Sequence, residues 1–216
     1  MKTITQTAMS LDKRLAAYAA VAAATIAAPA VPTADATVIT NTVNLALPAT
    51  ADGVYLNVVT GASSVSAVAG WDLNPYLSNG VFTFFWPSAT TGGGVATGAA
   101  TNVYASLSAG AVISSASPFT ASAGGGGPGS TINFQSTGQH ILGFRFVNEA
   151  TGIVNFGYAI INNSAPNGFP ATLVSYSYEN NGGAITVVPE PSSFMLLGLA
   201  AAGAFGVREW RKRKAA

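Results

Sequence analysis

Chemistry in this chain would have to come from few side chains. There is one histidine, His140, and no cysteine. A Ser–His–Asp arrangement would have to use His140. It lies beside Gln139 at the start of an alternating apolar stretch, where a solvated strand-edge histidine needs no catalytic role. Without cysteine there is no disulfide, no thiolate metal site and no thiol nucleophile. Calcium takes oxygen ligands alone and tolerates loops. Asp52, and Asp72 with Asn74, are the nearest approach to such a site, but neither has the dense Asp/Asn/Gly spacing of a calcium loop. A glycoside hydrolase needs two carboxyl groups about 5–10 Å apart. Glu149 falls in a hairpin turn and Glu179 at a strand end, positions that suit solvated charges. The glycine runs at 92–94 and 124–129 are not followed by Gly-Lys-Ser/Thr, so neither forms a phosphate loop. The expectation is a protein with no catalytic residue, no metal and no cofactor. One local cluster is suited to binding. Gly70-Trp71-Asp72-Leu73-Asn74-Pro75-Tyr76 places two aromatic rings beside an amide and a carboxylate. Trp71 and Tyr76 are therefore candidates for stacking on sugar rings, unless they pack into a core.

The most specific pattern lies at the C-terminal end. Val188-Pro189-Glu190-Pro191-Ser192-Ser193 precedes an uncharged Leu/Ala/Gly-rich run over 194–207, and Arg208-Glu-Trp-Arg-Lys-Arg-Lys214 follows it. Pro189 and Pro191 cannot both sit inside a helix, and each pushes the residue before it to an extended conformation. The motif is thus an extended, accessible peptide. The apolar run reads as a single membrane-spanning helix over about 193–207. The basic cluster of Arg208, Arg211, Lys212, Arg213 and Lys214 places its far side in the cytoplasm. At the other end, Lys13 and Arg14 precede an Ala-rich uncharged run, and Ala34-Asp35-Ala36 offers small residues at a cleavage site. That is the layout of a secretory signal peptide over 1–36. Cytoplasmic basic residues behind a C-terminal anchor require a translocated middle, so the two ends support each other.

The tail resembles the PEP-CTERM sorting signal of Gram-negative, exopolysaccharide-producing bacteria. The matching residues are 188–193, then Leu196-Leu197-Gly198-Leu199, then the closing basic cluster. The resemblance implies a membrane-embedded exosortase as partner, cutting at Pro189-Glu190-Pro191. The protein would be exported, held transiently in the inner membrane, then released or re-anchored at the cell surface. A surface or biofilm-matrix protein of structural or exopolysaccharide-associated role is the function it implies. A carbohydrate-binding module of the cell envelope is the alternative.

Composition agrees with export and excludes other classes. Only 8% of the chain is charged, against about 25% in an ordinary soluble domain. Between residues 37 and 188 the only basic side chain is Arg145, against Asp52, Asp72, Glu149 and Glu179. Nucleic acid needs clustered Lys and Arg to displace its counterions, so nucleic-acid binding is excluded.

The segment 37–187 must supply the folded domain. It shows short alternating runs broken by Gly, Pro, Asn and Asp and no sustained helical period, the signature of an all-β protein. Strands are expected over 37–47, 54–59, 81–86, 103–107, 111–114, 173–178 and 185–188. The run at 81–86 is apolar throughout and reads as a buried central strand. The clearest unit is a hairpin over 139–161. Leu142, Phe144 and Phe146 share one face of its first strand. Val154, Phe156, Tyr158 and Ile160 share one face of its second. Such alternation predicts one face on a core and one near solvent. Val174, Tyr176 and Tyr178 are expected on one face of a later strand. Eight to ten strands favour an antiparallel two-sheet sandwich, jelly-roll-like, with a closed barrel as alternative. The stretches 142–152, 155–158 and 174–179 resemble a pattern of PEP-CTERM ectodomains, with Tyr158 where the family often has Trp. That resemblance implies a fold family and assigns no catalytic residue.

Overall fold

The computed structural model describes residues 37–99, 102–121 and 131–188. The signal-peptide segment with Ala34 and Ala36, the Pro189-Glu190-Pro191 motif, the apolar run and the basic cluster lie outside the described residues. Among the described residues no helix is long and apolar enough to cross a membrane.

The described fold is all-β apart from one 3-10 turn, Ile132–Phe134. In chain order the strands are β1 (Val38–Leu47), β2 (Tyr55–Leu56), β3 (Ser63–Ser64), β4 (Asn74–Ser78), β5 (Val81–Phe85) and β6 (Gly93–Val95). They continue as β7 (Val112–Ile113), β8 (Phe119–Thr120), β9 (Gly138–Asn148), β10 (Ile153–Asn163), β11 (Ala171–Glu179) and β12 (Ile185–Thr186). All pairings are antiparallel. One six-stranded sheet runs β1-β11-β10-β9-β6-β8, and three two-stranded ribbons pair β12 with β7, β2 with β3 and β4 with β5. The all-β class and the antiparallel pairing are as expected. In place of two sheets of comparable size there is one large sheet with ribbons.

The reason lies in the central hairpin, β9–β10. Its connection is built by Asn148, whose carbonyl accepts from Thr151 N at 3.1 Å and Gly152 N at 2.7 Å. The Asn148 side chain accepts from Ala150 N at 2.9 Å, and Gly152 takes the left-handed conformation (φ +71°) that closes the turn. This sets the register. Phe144 faces Gly157, Phe146 faces Asn155 and Leu142 faces Ala159, while Tyr158 faces Gly143 and Phe156 faces Arg145. Directly opposed residues share a face, so Phe144 and Leu142 of β9 lie over Gly157 and Ala159 of β10, and on the other side Tyr158 of β10 lies over Gly143. Both faces are therefore buried, which corrects the expectation that one lies near solvent. Phe144, Phe146 and Leu142 join Phe82, Phe84, Trp86, Tyr104 and Tyr176 in one cluster. Phe156, Tyr158 and Ile160 join Val95, Ile113, Ile185 and Val187 in a second. Each cluster is roofed by short ribbons: β2 and β5 supply Leu56, Phe82 and Phe84 to the first, and β7 and β12 supply Ile113 and Ile185 to the second.

Four further expectations change. The run 81–86 is not a central strand; β5 pairs only with β4, sending Phe82, Phe84 and Trp86 into the core while Phe85 stays 43% exposed. Of the glycine run 92–94, read as a loop, Gly93 and Gly94 are two of the three residues of β6, because Gly94 lies under Tyr104, whose Cδ1 would be 2.7 Å from an added Cβ. Val174 parts from Tyr176 and Tyr178. Ser175 pairs with Ile160 and Leu173 with Ile161, leaving Val174 as a bulge that returns Leu173 to the face of Tyr176. Opposite the bulge, Asn44 of β1 adopts φ 47°. Glu179 is not a solvated charge. It is fully buried, and its carboxylate accepts from Asn181 N at 2.8 Å and from Gly183 N, tying down the turn after β11.

Gly157 is the tightest point of this arrangement. An added Cβ would sit 2.6 Å from the Ser177 carbonyl oxygen and 2.8 Å from Phe144 Cζ, and the backbone oxygen cannot move aside. Gly157→Ala should lower unfolding free energy by about 2–3 kcal/mol, checked by urea denaturation. A change below about 0.5 kcal/mol would mean that the opposed large and small residues do not set the packing.

Candidate functional site

Trp71 and Tyr76 belong to neither buried cluster. Trp71 follows Gly70, and the Trp71 ring stacks on Phe85 (centroids 5.5 Å apart, planes at 27°). Tyr55 meets Trp71 edge-on at 5.0 Å, and Tyr76 meets Phe85 edge-on at 6.4 Å. Four rings from β2, β4, β5 and the turn before β4 thus form one half-exposed patch on the outer side of the β4–β5 ribbon. The outward ring of an otherwise buried run, Phe85, is its centre. Such offset and edge-to-face contacts hold aromatic rings in fixed orientation.

Beside the patch is a cleft of about 280 Å³, lined among others by Trp71, Asp72, Ser88, Thr91, Phe146 and Glu149. Trp71 is common to patch and cleft. The cleft floor is a hydrogen-bonded group drawn from three distant parts of the chain. Asp72 Oδ2 accepts from Val58 N at 2.9 Å. Asn57 Nδ2 donates to the Ala69 carbonyl at 3.1 Å and to Glu149 Oε1, and Asn57 Oδ1 accepts from Thr60 N at 2.7 Å. Gly70 (φ +65°) packs so closely that a Cβ there would lie 2.8 Å from Asn57 Nδ2 and 2.9 Å from Glu149 Oε1. Glu149, expected as a free turn charge, is thereby tied to the Trp71 loop. Asp72 is only 5% exposed. Burial pushes its carboxyl from 3.8 up to about 7; the Val58 N–H opposes this and the nearby Glu149 carboxylate adds to it. Burial also raises Tyr176 and Tyr178, with further contributions from neighbouring anionic groups. The Tyr176 hydroxyl has no hydrogen-bond partner among the described residues.

The remaining candidates sit apart. Asn74 is buried and donates to the Asp52 carbonyl at 2.8 Å, a structural link. His140 Nε2 lies 3.1 Å from the Ser136 carbonyl and so carries the proton, while Nδ1 lies 3.3 Å from Ser106 Oγ and accepts. Its partners are serine groups and not a carboxylate. Glu179 is at the turn after β11, so Glu149 and Glu179 form no pair in the cleft. Arg145 lies over the Phe119 ring, 4.8 Å from the centroid; its Nε donates to the Gly92 carbonyl at 3.2 Å. Among the described residues no group of three or more His, Asp or Glu is placed to hold a metal. Sequence reasoning singled out Trp71, Tyr76 and Asp72 but missed Asn57, Phe85 and the approach of Glu149. The one signal was Gly70, which only a crowded, left-handed position requires.

The chain enters its C-terminal segment through a held strap. Ile185 pairs with Ile113 and Thr186 with Val112. Val187 N donates to the Ala111 carbonyl at 2.8 Å, and Gly110 N donates to the Val187 carbonyl at 2.9 Å. The Tyr158 hydroxyl donates to the Val188 carbonyl at 3.0 Å. Residues 187–213 match the PEP-CTERM protein-sorting motif. No curated protein and no solved structure matches the chain.

The buried Asp72 makes stability depend on pH. Its folded value, about 7, exceeds the unfolded value, so the folded state holds a proton that the unfolded state releases. Stability should therefore fall as pH rises from about 4 to about 7, opposite to a salt-bridged carboxylate. Asp72→Asn keeps an acceptor for Val58 N and has no proton to lose. It should flatten that slope and raise stability at pH 8 by roughly 3 kcal/mol; denaturation at pH 5 and pH 8 checks both.

Proposed function

We propose that this chain, which carries the PEP-CTERM sorting motif at 187–213, is an exported protein processed by an exosortase. The motif carries the reading, and its order of parts supplies the mechanism. The apolar run 194–207 has 14 residues, about 21 Å as a helix, short against a hydrocarbon core of about 30 Å. A short span draws its flanks toward the bilayer and keeps Pro189-Glu190-Pro191 at the outer interface, within reach of a membrane-embedded enzyme. The extended proline-flanked backbone fits an active-site cleft, and Glu190 offers the one charge to be read there. The cut breaks a backbone amide. The acyl carbon passes to water or to an acceptor nucleophile, and the amine leaves with a proton on the anchored tail. The signal segment 1–36 starts export, the inner membrane of a Gram-negative cell holds the precursor, and the cut frees the β domain for the cell surface or matrix.

Glu190→Gln should block processing and leave export intact. Fractionation, immunoblotting and intact-mass measurement in an exosortase-positive host should then show the uncut chain in the inner membrane, while surface wild type lacks both 1–36 and the basic tail. A Glu190→Gln chain cut and released like wild type would reduce the tail to an ordinary anchor.

The role at the surface is read as structural and polysaccharide-associated, and the half-exposed ring patch supports a carbohydrate-binding activity. The C–H face of a sugar ring is apolar and packs on an aromatic ring, while its hydroxyls need acceptors and donors. Trp71 supplies the ring, Glu149 and Asp72 the acceptors, and Ser88 and Thr91 hydroxyls at the same cleft. A cleft of this size suits one saccharide unit of a polymer. Trp71→Ala should weaken retention on the host's own polysaccharide about tenfold in affinity electrophoresis, with the β circular-dichroism spectrum unchanged. Equal retention of the two proteins would assign the rings a packing role only.

A further inference from the structure

The sorting motif and the folded domain overlap. The match begins at residue 187, yet Val187 is 1% exposed and belongs to the second hydrophobic cluster. Its N–H and its carbonyl are both bound to the 110–111 turn, and the carbonyl of Val188 is bound by Tyr158. Pro189 follows directly. With the strap docked there is no free linker between the domain surface and the proline-flanked glutamate. A protease cleft holds several extended residues on either side of the bond it cuts, commonly through backbone hydrogen bonds as in strand addition. Here the upstream residues 185–188 already have their hydrogen bonds inside the substrate's own fold.

We propose that 185–188 is a releasable strap, and that its undocking from β7 and Tyr158 is the step that admits the motif to the processing enzyme. This inference rests on the exosortase reading above. The strap is suited to local opening. Its ladder partner, β7, is two residues long and pairs with nothing but β12, and opening free energies are lowest where few backbone bonds and contacts are lost. Its outer side is unpacked: Val188 and Val112 are each 60% exposed. Beside it runs a cleft of about 310 Å³ lined by Val38, Thr40, Tyr158, Ser177, Thr186 and Val188, so the strap lifts without disturbing β1 or β11. Opening frees four residues, roughly 13 Å of extended chain. Closing returns Ile185 and Val187 to the cluster, so after the cut the new C-terminal stub folds back and completes the core. The device delays processing until the enzyme captures the opened strap, and it leaves the mature domain sealed.

The test is a pulse-chase of the full-length chain in an exosortase-positive host, following precursor half-life. Inserting Gly-Ser-Gly-Ser between Val188 and Pro189 supplies a linker without touching the fold. Tyr158→Phe removes the hydroxyl and keeps the ring in the core. The insertion should shorten the precursor half-life at least fivefold. Tyr158→Phe should shorten it about fivefold, the factor set by one neutral hydrogen bond. An insertion variant cut at the wild-type rate or more slowly overturns the strap, whatever Tyr158→Phe does. If wild type is never cut, the exosortase reading falls with it; if wild type is cut as fast as the insertion variant, only the strap falls.

Discussion

The structure depends on the opposition of large to small side chains across β9 and β10. A sheet of aromatic strands can bury both faces where its bulkiest rings find small residues opposite them. Phe144 lies over Gly157, and Tyr158 opposes Gly143. An added Cβ on Gly143 would meet Leu107, Val95 and Ile113 within 3.0 Å, so the second face is packed as closely as the first. With both faces apolar, one sheet serves two clusters. The short ribbons are then sufficient as roofs, because each needs to present only one or two large side chains to a surface already built.

That economy exposes what the ribbons carry on their outer sides. The β4–β5 ribbon inserts Phe82 and Phe84 into the core, and alternation turns Phe85 outward, where Trp71 stacks on it. The aromatic patch is therefore a by-product of a strand whose every second residue is committed to the interior. The polar floor beside it is anchored the same way: Asp72 is fixed by Val58 N–H and Glu149 by Asn57, and both line the cleft together with Phe146. Burial beside a second carboxylate shifts the ionisation of Asp72 up to about 7, and at such a shielded site a hydrogen bond is stronger than in water.

The C-terminal end obeys a related logic. The second cluster is closed by Ile185 and Val187, while Val188, the residue before the first proline, stays 60% exposed. Pro189 and Pro191 carry no N–H with which the β12 ladder could be extended, and the sorting motif overlaps the domain at 187–188.

Much was legible in the order of residues. The three-part tail, the basic residues ahead of the Ala-rich run, the absence of cysteine and the single histidine are one-dimensional facts, and their meaning needs no contact map. So is the β class: period-two alternation and turn residues are local, and β1, β9, β10 and β11 follow from them, as does Asn148-Glu-Ala-Thr-Gly152 as a turn. Only the tertiary structure decided the rest, because those features depend on register and on partners far along the chain. Whether the small residues of a strand face water or a ring depends on which residue opposes them, and Gly157 reads alike in either case. The bulge at Val174 follows from a mismatch between β10, β11 and β1 that no one strand records. Glu149 meets Asn57 across 92 residues of chain, and Tyr158 holds Val188 across 30. Neither a buried glutamate such as Glu179 nor an outward phenylalanine such as Phe85 is marked as such by its own neighbours in sequence, since burial is a property of the surface that covers a side chain and not of the side chain itself.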